Sequence, residues 1–218
     1  MRVLGWIEDL AADLQRIGSE PPPAPRWDQD WFPRLDAAAA YAIVRMTRPR
    51  RIVEVGCGHS TRFLARAVAD GGFDCEIVAI DPAPRARIGG RGVRWIAAPV
   101  QAADPALFDA LGAGDVLFVD SSHQVKRGSD VEFLLQRVLP RLAKRVRIHF
   151  HDIFLPDDYP AAWAWRRYNE QQALAPLIGE GYVEEFSSRS GASELPGVLA
   201  RLPLMPGALE SSLWLRKQ

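Results

Sequence analysis

The chain has 218 residues and 24.2 kDa, 48% hydrophobic and 25% charged, which suffices for one globular domain with a full core and leaves no room for a second large catalytic domain. Its 27 lysines and arginines balance 27 aspartates and glutamates, so no net field steers it toward nucleic acid. Two cysteines, Cys57 and Cys75, are too few for a disulfide scaffold and lack zinc-site spacing, and they read as reduced thiols of a cytoplasmic protein.

The opening MRVLGWIEDLAADLQRIG sets Glu8 and Asp9 inside an apolar pattern and predicts a short amphipathic helix, not a signal peptide. No run approaches the roughly 18 apolar residues of a membrane span. Prolines deny regular structure to PPPAPRWDQDWFP (21–33), yet Trp27, Trp31 and Phe32 give it surface to bury. RLDAAAAYAIVRMT then predicts a helix stopped at Pro49. Residues 1–48 are therefore expected to form a helical extension, a lid or a packing or dimer contact, ahead of a domain at 49–218.

From residue 51 short β-branched runs alternate with helical stretches. RIVEV (51–55), CEIVAI (75–80), VRWIAA (93–98), DVLFVD (115–120) and RVRIHFH (145–151) predict strands. Between and after them STRFLARAVAD, PALFDALG, SDVEFLLQRVLPRLA and PAAWAWRRYNEQQALAPLI predict helices, the last opening on Pro160. GYVEEFSS and SSLWLRKQ predict a closing antiparallel pair of strands. The rhythm implies an α/β, Rossmann-like, doubly wound sheet of seven strands, mostly parallel, with an antiparallel C-terminal strand.

In such sheets ligands gather beyond the carboxyl ends of the strands, where the first strand delivers Glu54-x-Gly56-x-Gly58-x-Ser60. A dinucleotide fingerprint would want a third glycine, and that place holds Thr61. Asp81, ending the second strand, suits the two hydroxyls of a ribose, which indicates an adenosine cofactor without naming it. Gln101 follows the third strand. The fourth strand ends in Asp120, Ser121, Ser122 and His123, and the fifth in His151 and Asp152.

The Glu54–Ser60 pattern resembles motif I of the class I S-adenosylmethionine-dependent methyltransferases, in which the glycine loop passes beneath the methionine part of the cofactor. DSSH after the fourth strand and HDIFLP after the fifth, within a match spanning about 50–172, resemble a group of small bacterial members. The resemblance implies S-adenosyl-L-methionine held by Glu54, Gly56, Gly58, Ser60, Asp81, Gln101 and Ser121, and methyl transfer to an oxygen or nitrogen of a small-molecule acceptor. His123 is then the expected general base, with Asp120, Asp152 and His151 beside it. A rival arrangement, that of catechol-type methyltransferases, makes Asp120 and Asp152 ligands of a divalent metal, although the neighbouring histidines suit zinc, manganese, iron or nickel better than magnesium. A NAD-dependent oxidoreductase of related fold and an inactive cofactor-binding partner subunit are the alternatives. No nucleic-acid or membrane partner is expected, and a homodimer is open.

Other residues carry weaker signals. His149 shares a strand face with His151 and is expected to be packed against a helix, while His59 could line the cofactor mouth. Tyr159, Trp163, Trp165 and Tyr168 could wall the acceptor pocket or pack as helix core. Arg166 and Arg167 suit an acidic substrate or a solvated face.

Overall fold

The computed structural model describes residues 2–88, 92–189 and 195–218. The apolar runs become β1 (Arg51–Val55), β2 (Glu76–Ile80), β3 (Val93–Ile96), β4 (Val116–Val119), β5 (Arg147–Phe150), β6 (Tyr182–Ser187) and β7 (Leu213–Lys217). They form one sheet in the order β3-β2-β1-β4-β5-β7-β6. The pairs from β3 through β5 are parallel, and β7 runs antiparallel to both β5 and β6. The strand order reverses at β1 and β4, which is where a doubly wound sheet opens its ligand crevice.

Strand alternation divides the core. Ile52, Ile77, Val116, Phe118 and Trp214 pack on one face, while Val53, Val55, Val78, Val119, Ile148 and Phe150 pack on the other. The first face is covered by α3 (Arg34–Thr47) and α4 (His59–Gly71). In α3, Ala37 to Ala40 and Ala42 are all fully buried, because side chains this small let the helix sit close to its neighbours on every side. Arg48, left-handed at φ 47, ends it before Pro49. The second face carries α5 (Ala106–Asp109), α6 (Asp130–Phe133) and α7 (Glu170–Leu174).

The single helix expected at the start is two, α1 (Arg2–Asp9) and α2 (Ala11–Arg16). Val3, Ile7 and Leu14 join Phe32, Phe63 and the α3 alanines in the same core as the sheet. At roughly 1.5–3 kcal/mol for each buried aliphatic side chain, these contacts anchor the segment firmly.

Two helical expectations are corrected. The stretch 129–143 is α6 followed by a π-helical turn, Leu134–Val138, and a 3-10 turn, Leu139–Arg141. The helix expected over 160–178 is a 3-10 turn (Ala161–Arg166), a left-handed Arg167 at φ 56, then α7 and a second 3-10 turn (Ala175–Leu177). Long-range bonds bend it. The Asn169 side chain exchanges bonds with the Val125 backbone at 2.6 and 3.2 Å, and the Asn169 N–H donates to the His123 carbonyl at 3.0 Å.

Candidate active site

The glycine loop is fixed by the approach of two strand ends. The Gly56 N–H donates to the Ile80 carbonyl at 2.9 Å, and the Asp120 N–H to the Val55 carbonyl at 2.8 Å. At Gly56, φ is +76 and a Cβ would stand 1.7 Å from the Asp120 carbonyl oxygen, so only glycine fits.

Glu54 lies under this loop, with no exposed surface. The hydroxyls of Ser60 and Thr61 donate to its two oxygens, each at 2.6 Å, and Thr61 Oγ1 accepts the Gly58 N–H at 3.0 Å. Burial pushes the Glu54 carboxyl up to about 8, with the charges of Asp120 and Asp81 adding to the rise and the two hydroxyls opposing it. Asp81 grips the loop from the β2 end, accepting the N–H groups of Cys57 at 2.9 Å and Ala83 at 2.7 Å.

A cavity of about 630 Å³ opens beyond these strand ends. Gly56, Asp81, Gln101, Asp120, Ser121, His123, His151 and Asp152 all line it, whereas Glu54, Gly58 and Ser60 sit behind it. The latter three shape the loop and present no surface to the cavity. The Gln101 amide donates to the Gly128 carbonyl at 3.1 Å, and the buried Ser121 hydroxyl has no partner.

His123 sits at the centre of the ionisable groups, 3% exposed and left-handed at φ 57. Its Nδ1 is 2.9 Å from Glu170, and its Nε2 is 3.3 Å from Asp120 and 3.7 Å from Asp152. Burial disfavours charge on the ring, but the bonds to Asp120 and Glu170 and the charges of Glu170 and Asp152 outweigh it and hold His123 well above its ordinary range. Both ring nitrogens of His123 therefore face carboxylates. Asp120 is also disfavoured by burial, yet His151, His123 and Arg85 bring it below the ordinary carboxylate value; its side chain keeps 32% exposure.

Asp152, left-handed at φ 54, accepts the Ser211 hydroxyl at 3.2 Å and lies 3.6 Å from Arg166, whose guanidinium covers Trp163 at 4.0 Å. His151 Nε2 donates to the Trp31 carbonyl at 3.1 Å, and its Nδ1 is 3.9 Å from the fully buried Asp36. Asp36 in turn receives the N–H groups of Ser211 and Ser212 at 2.9 and 3.1 Å. The N-terminal segment thus builds one wall of the site, with Asp30 and Trp31 lining the cavity and Arg85 stacked 4.5 Å over Trp31.

His149 is a packed core residue, stacked on Phe118 at 3.7 Å with Ser212 Oγ 2.9 Å from its Nε2, and burial followed by the charge of His151 holds it well below its ordinary value. His59 does not line the cavity; burial, with Arg62 and Arg26, lowers it to about 4.

A resident divalent metal does not fit this donor set. Asp120 and Asp152 both lie within ion-pair distance of the His123 nitrogen, Asp152 is engaged besides by Ser211 and Arg166, and among the described residues no group of three or more His, Cys, Asp or Glu side chains is arranged to hold an ion.

Glu170 and Asp36 were not singled out in the sequence. Each reaches the cluster from an element distant in the chain, 47 residues from His123 and 115 from His151 (151 − 36), and no local pattern signals such a pairing.

Residues 53–153 match the family model of a methyltransferase domain, slightly under half of the chain. No curated protein matches. Among solved structures, the SAH-bound methyltransferase PaMTH1 of Podospora anserina aligns with a TM-score of 0.53 at 18% identity, over 100% of this chain and 88% of that one. The cofactor-bound Rv0187 from MTB gives 0.52 at 16%, over 100% and 90%. The plantazolicin methyltransferase BpumL, in complex with a desmethyl analogue and SAH, gives 0.55 at 13%, over 100% and 96%. The chain therefore has the Rossmann-like methyltransferase fold, and its matched segment contains the glycine loop, Asp81 and both Asp/His strand ends.

Proposed function

We propose that this chain is an S-adenosyl-L-methionine-dependent methyltransferase acting on an oxygen or nitrogen of a small molecule. The observation that carries the reading is that one cavity joins the glycine loop and Asp81 to the Asp/His groups at the ends of β4 and β5. Its volume, about 630 Å³, falls within the usual range for small-molecule sites.

The residues fit the cofactor. Each Asp81 oxygen accepts one backbone N–H and retains a further lone pair, so the carboxylate can hold two ribose hydroxyls without releasing the loop. Gln101 donates through its nitrogen, leaving its carbonyl oxygen to accept from an adenine amino group. The unpartnered Ser121 hydroxyl and the backbone of Gly56 and Cys57 supply polar contacts nearer the loop. When bound, the cofactor supplies a methyl group already activated on a sulfonium.

The remaining work is positioning and proton removal. His123, within ion-pair distance of Asp120 and Asp152, orients the two carboxylates and does not itself take the proton. Asp120, ionised and partly exposed, is the group that accepts a proton from the acceptor and returns it to solvent. Trp163, Arg166 and Tyr168 wall the acceptor side.

Calorimetry with S-adenosylmethionine, S-adenosylhomocysteine and NAD tests the reading. Saturable binding of the adenosyl sulfur compounds is expected, and binding of NAD alone would overturn it. S-adenosylhomocysteine release with phenols, sugars and amines then separates an enzyme from a binding subunit.

A further inference from the structure

We infer that the His123 side chain stands in the place of a metal ion, closing the gap between the strand-end carboxylates Asp120 and Asp152 so that the site works without one. An ion shared by these carboxylates would bring their oxygens to about 2.0–2.2 Å from a common point. The His123 Nε2 already occupies the space between them, at 3.3 Å from Asp120 and 3.7 Å from Asp152. Two facing carboxylates favour a proton on Nε2, and a protonated ring nitrogen offers no lone pair for coordination.

The ring is also secured from behind. Nδ1 lies 2.9 Å from Glu170, which is itself 1% exposed, and the ring packs against Tyr168 with centroids 4.5 Å apart. The His123 carbonyl accepts the Asn169 N–H at 3.0 Å, so an entering ion would have to displace a residue tied at ring and backbone together. Glu170 and Asn169 thus act as positioning residues that keep the ring between the carboxylates. The inference concerns the cavity's own residues and holds whether or not methyl transfer is its reaction.

Titration of Mn²⁺ into the full chain, followed by the paramagnetic resonance signal of the free ion, tests it. Wild type is expected to take up no ion that Asp120→Asn abolishes. His123→Gly, which suits the left-handed backbone, is expected to take up a single ion per chain, and Asp120→Asn added to it removes that uptake. Should His123→Gly fail to fold by circular dichroism, His123→Gly with Glu170→Gln removes the stranded buried carboxylate and replaces it in the comparison. A single ion bound by wild type and lost in Asp120→Asn overturns the inference. So does absence of uptake by a folded His123→Gly protein. S-adenosylhomocysteine binding to the same preparations reports separately on the methyltransferase reading.

Discussion

Glu54→Gln should remove a pH dependence that the wild-type fold carries. The Glu54 carboxyl, fully buried, rises from 4.5 to about 8, while in the unfolded chain it ionises near its ordinary value. The folded state therefore binds a proton that the unfolded state has released across this window, and stability falls as pH rises. The contribution is fully present below about pH 4.5 and lost as pH climbs through about 8. At 1.36 kcal/mol per unit, the whole window amounts to about 5 kcal/mol. An amide at position 54 can donate to Ser60 Oγ and accept from Thr61 Oγ1, so the variant keeps the loop's bonds without a titrating group. Urea unfolding followed by tryptophan fluorescence at intervals from pH 5 to 9 measures both proteins. Wild type should lose several kcal/mol relative to Glu54→Gln between pH 5 and 8, on the order of the figure above. Parallel pH profiles would refute the burial argument. Glu54→Ala, which also lacks the titrating group, strands two hydroxyls beside a hole and should be about 2–4 kcal/mol less stable than Glu54→Gln at every pH.

Gly56→Ala must accommodate a Cβ 1.7 Å from a carbonyl oxygen at φ +76. A loss of about 3 kcal/mol or more, and a melting temperature roughly 6–12 °C lower, is expected by thermal unfolding, and an unchanged melt would contradict the loop geometry. Asp81→Ala removes the loop's outer anchor and the ribose acceptor together; calorimetry should show S-adenosylhomocysteine affinity weakened about 10–100-fold, or about 1.4–2.8 kcal/mol, and a change below about threefold counts against the assignment. Saturating S-adenosylhomocysteine at about 100 times its Kd should stabilise the fold by about 2.7 kcal/mol and raise the melting temperature by roughly 5–11 °C, whereas NAD should leave it unmoved.

The strands were legible because their signal is local. RIVEV and its parallel partners are short apolar runs bounded by breakers, and the structure places all five within a residue or two of the expected limits. The helix expected over 160–178 failed for the opposite reason. Trp163 and Arg166 stand three apart, as helix neighbours do, but Trp163 also packs on Phe154, Arg166 reaches Asp152 and Tyr168 packs on His123, three partners outside the segment. Tertiary contacts override local preference there and turn the chain so that Glu170 arrives behind His123. The residues that line the cavity were legible in the same way. Strand ends announced Asp81, Asp120, His123, His151 and Asp152, yet the sequence could not show that Glu54 faces inward or that His123 is held between carboxylates.

The left-handed backbone at His123 and Asp152 has a wider consequence. Both are ordinary L-residues in a conformation that costs on the order of 1 kcal/mol or more, and both stand where neighbouring parallel strands give way to the cavity. That strain is borne before any ligand arrives, so the two side chains are already aimed and binding need order little. Glycine at either position would relax the backbone but remove the group it presents, and at 123 it would also strand the buried Glu170 carboxylate.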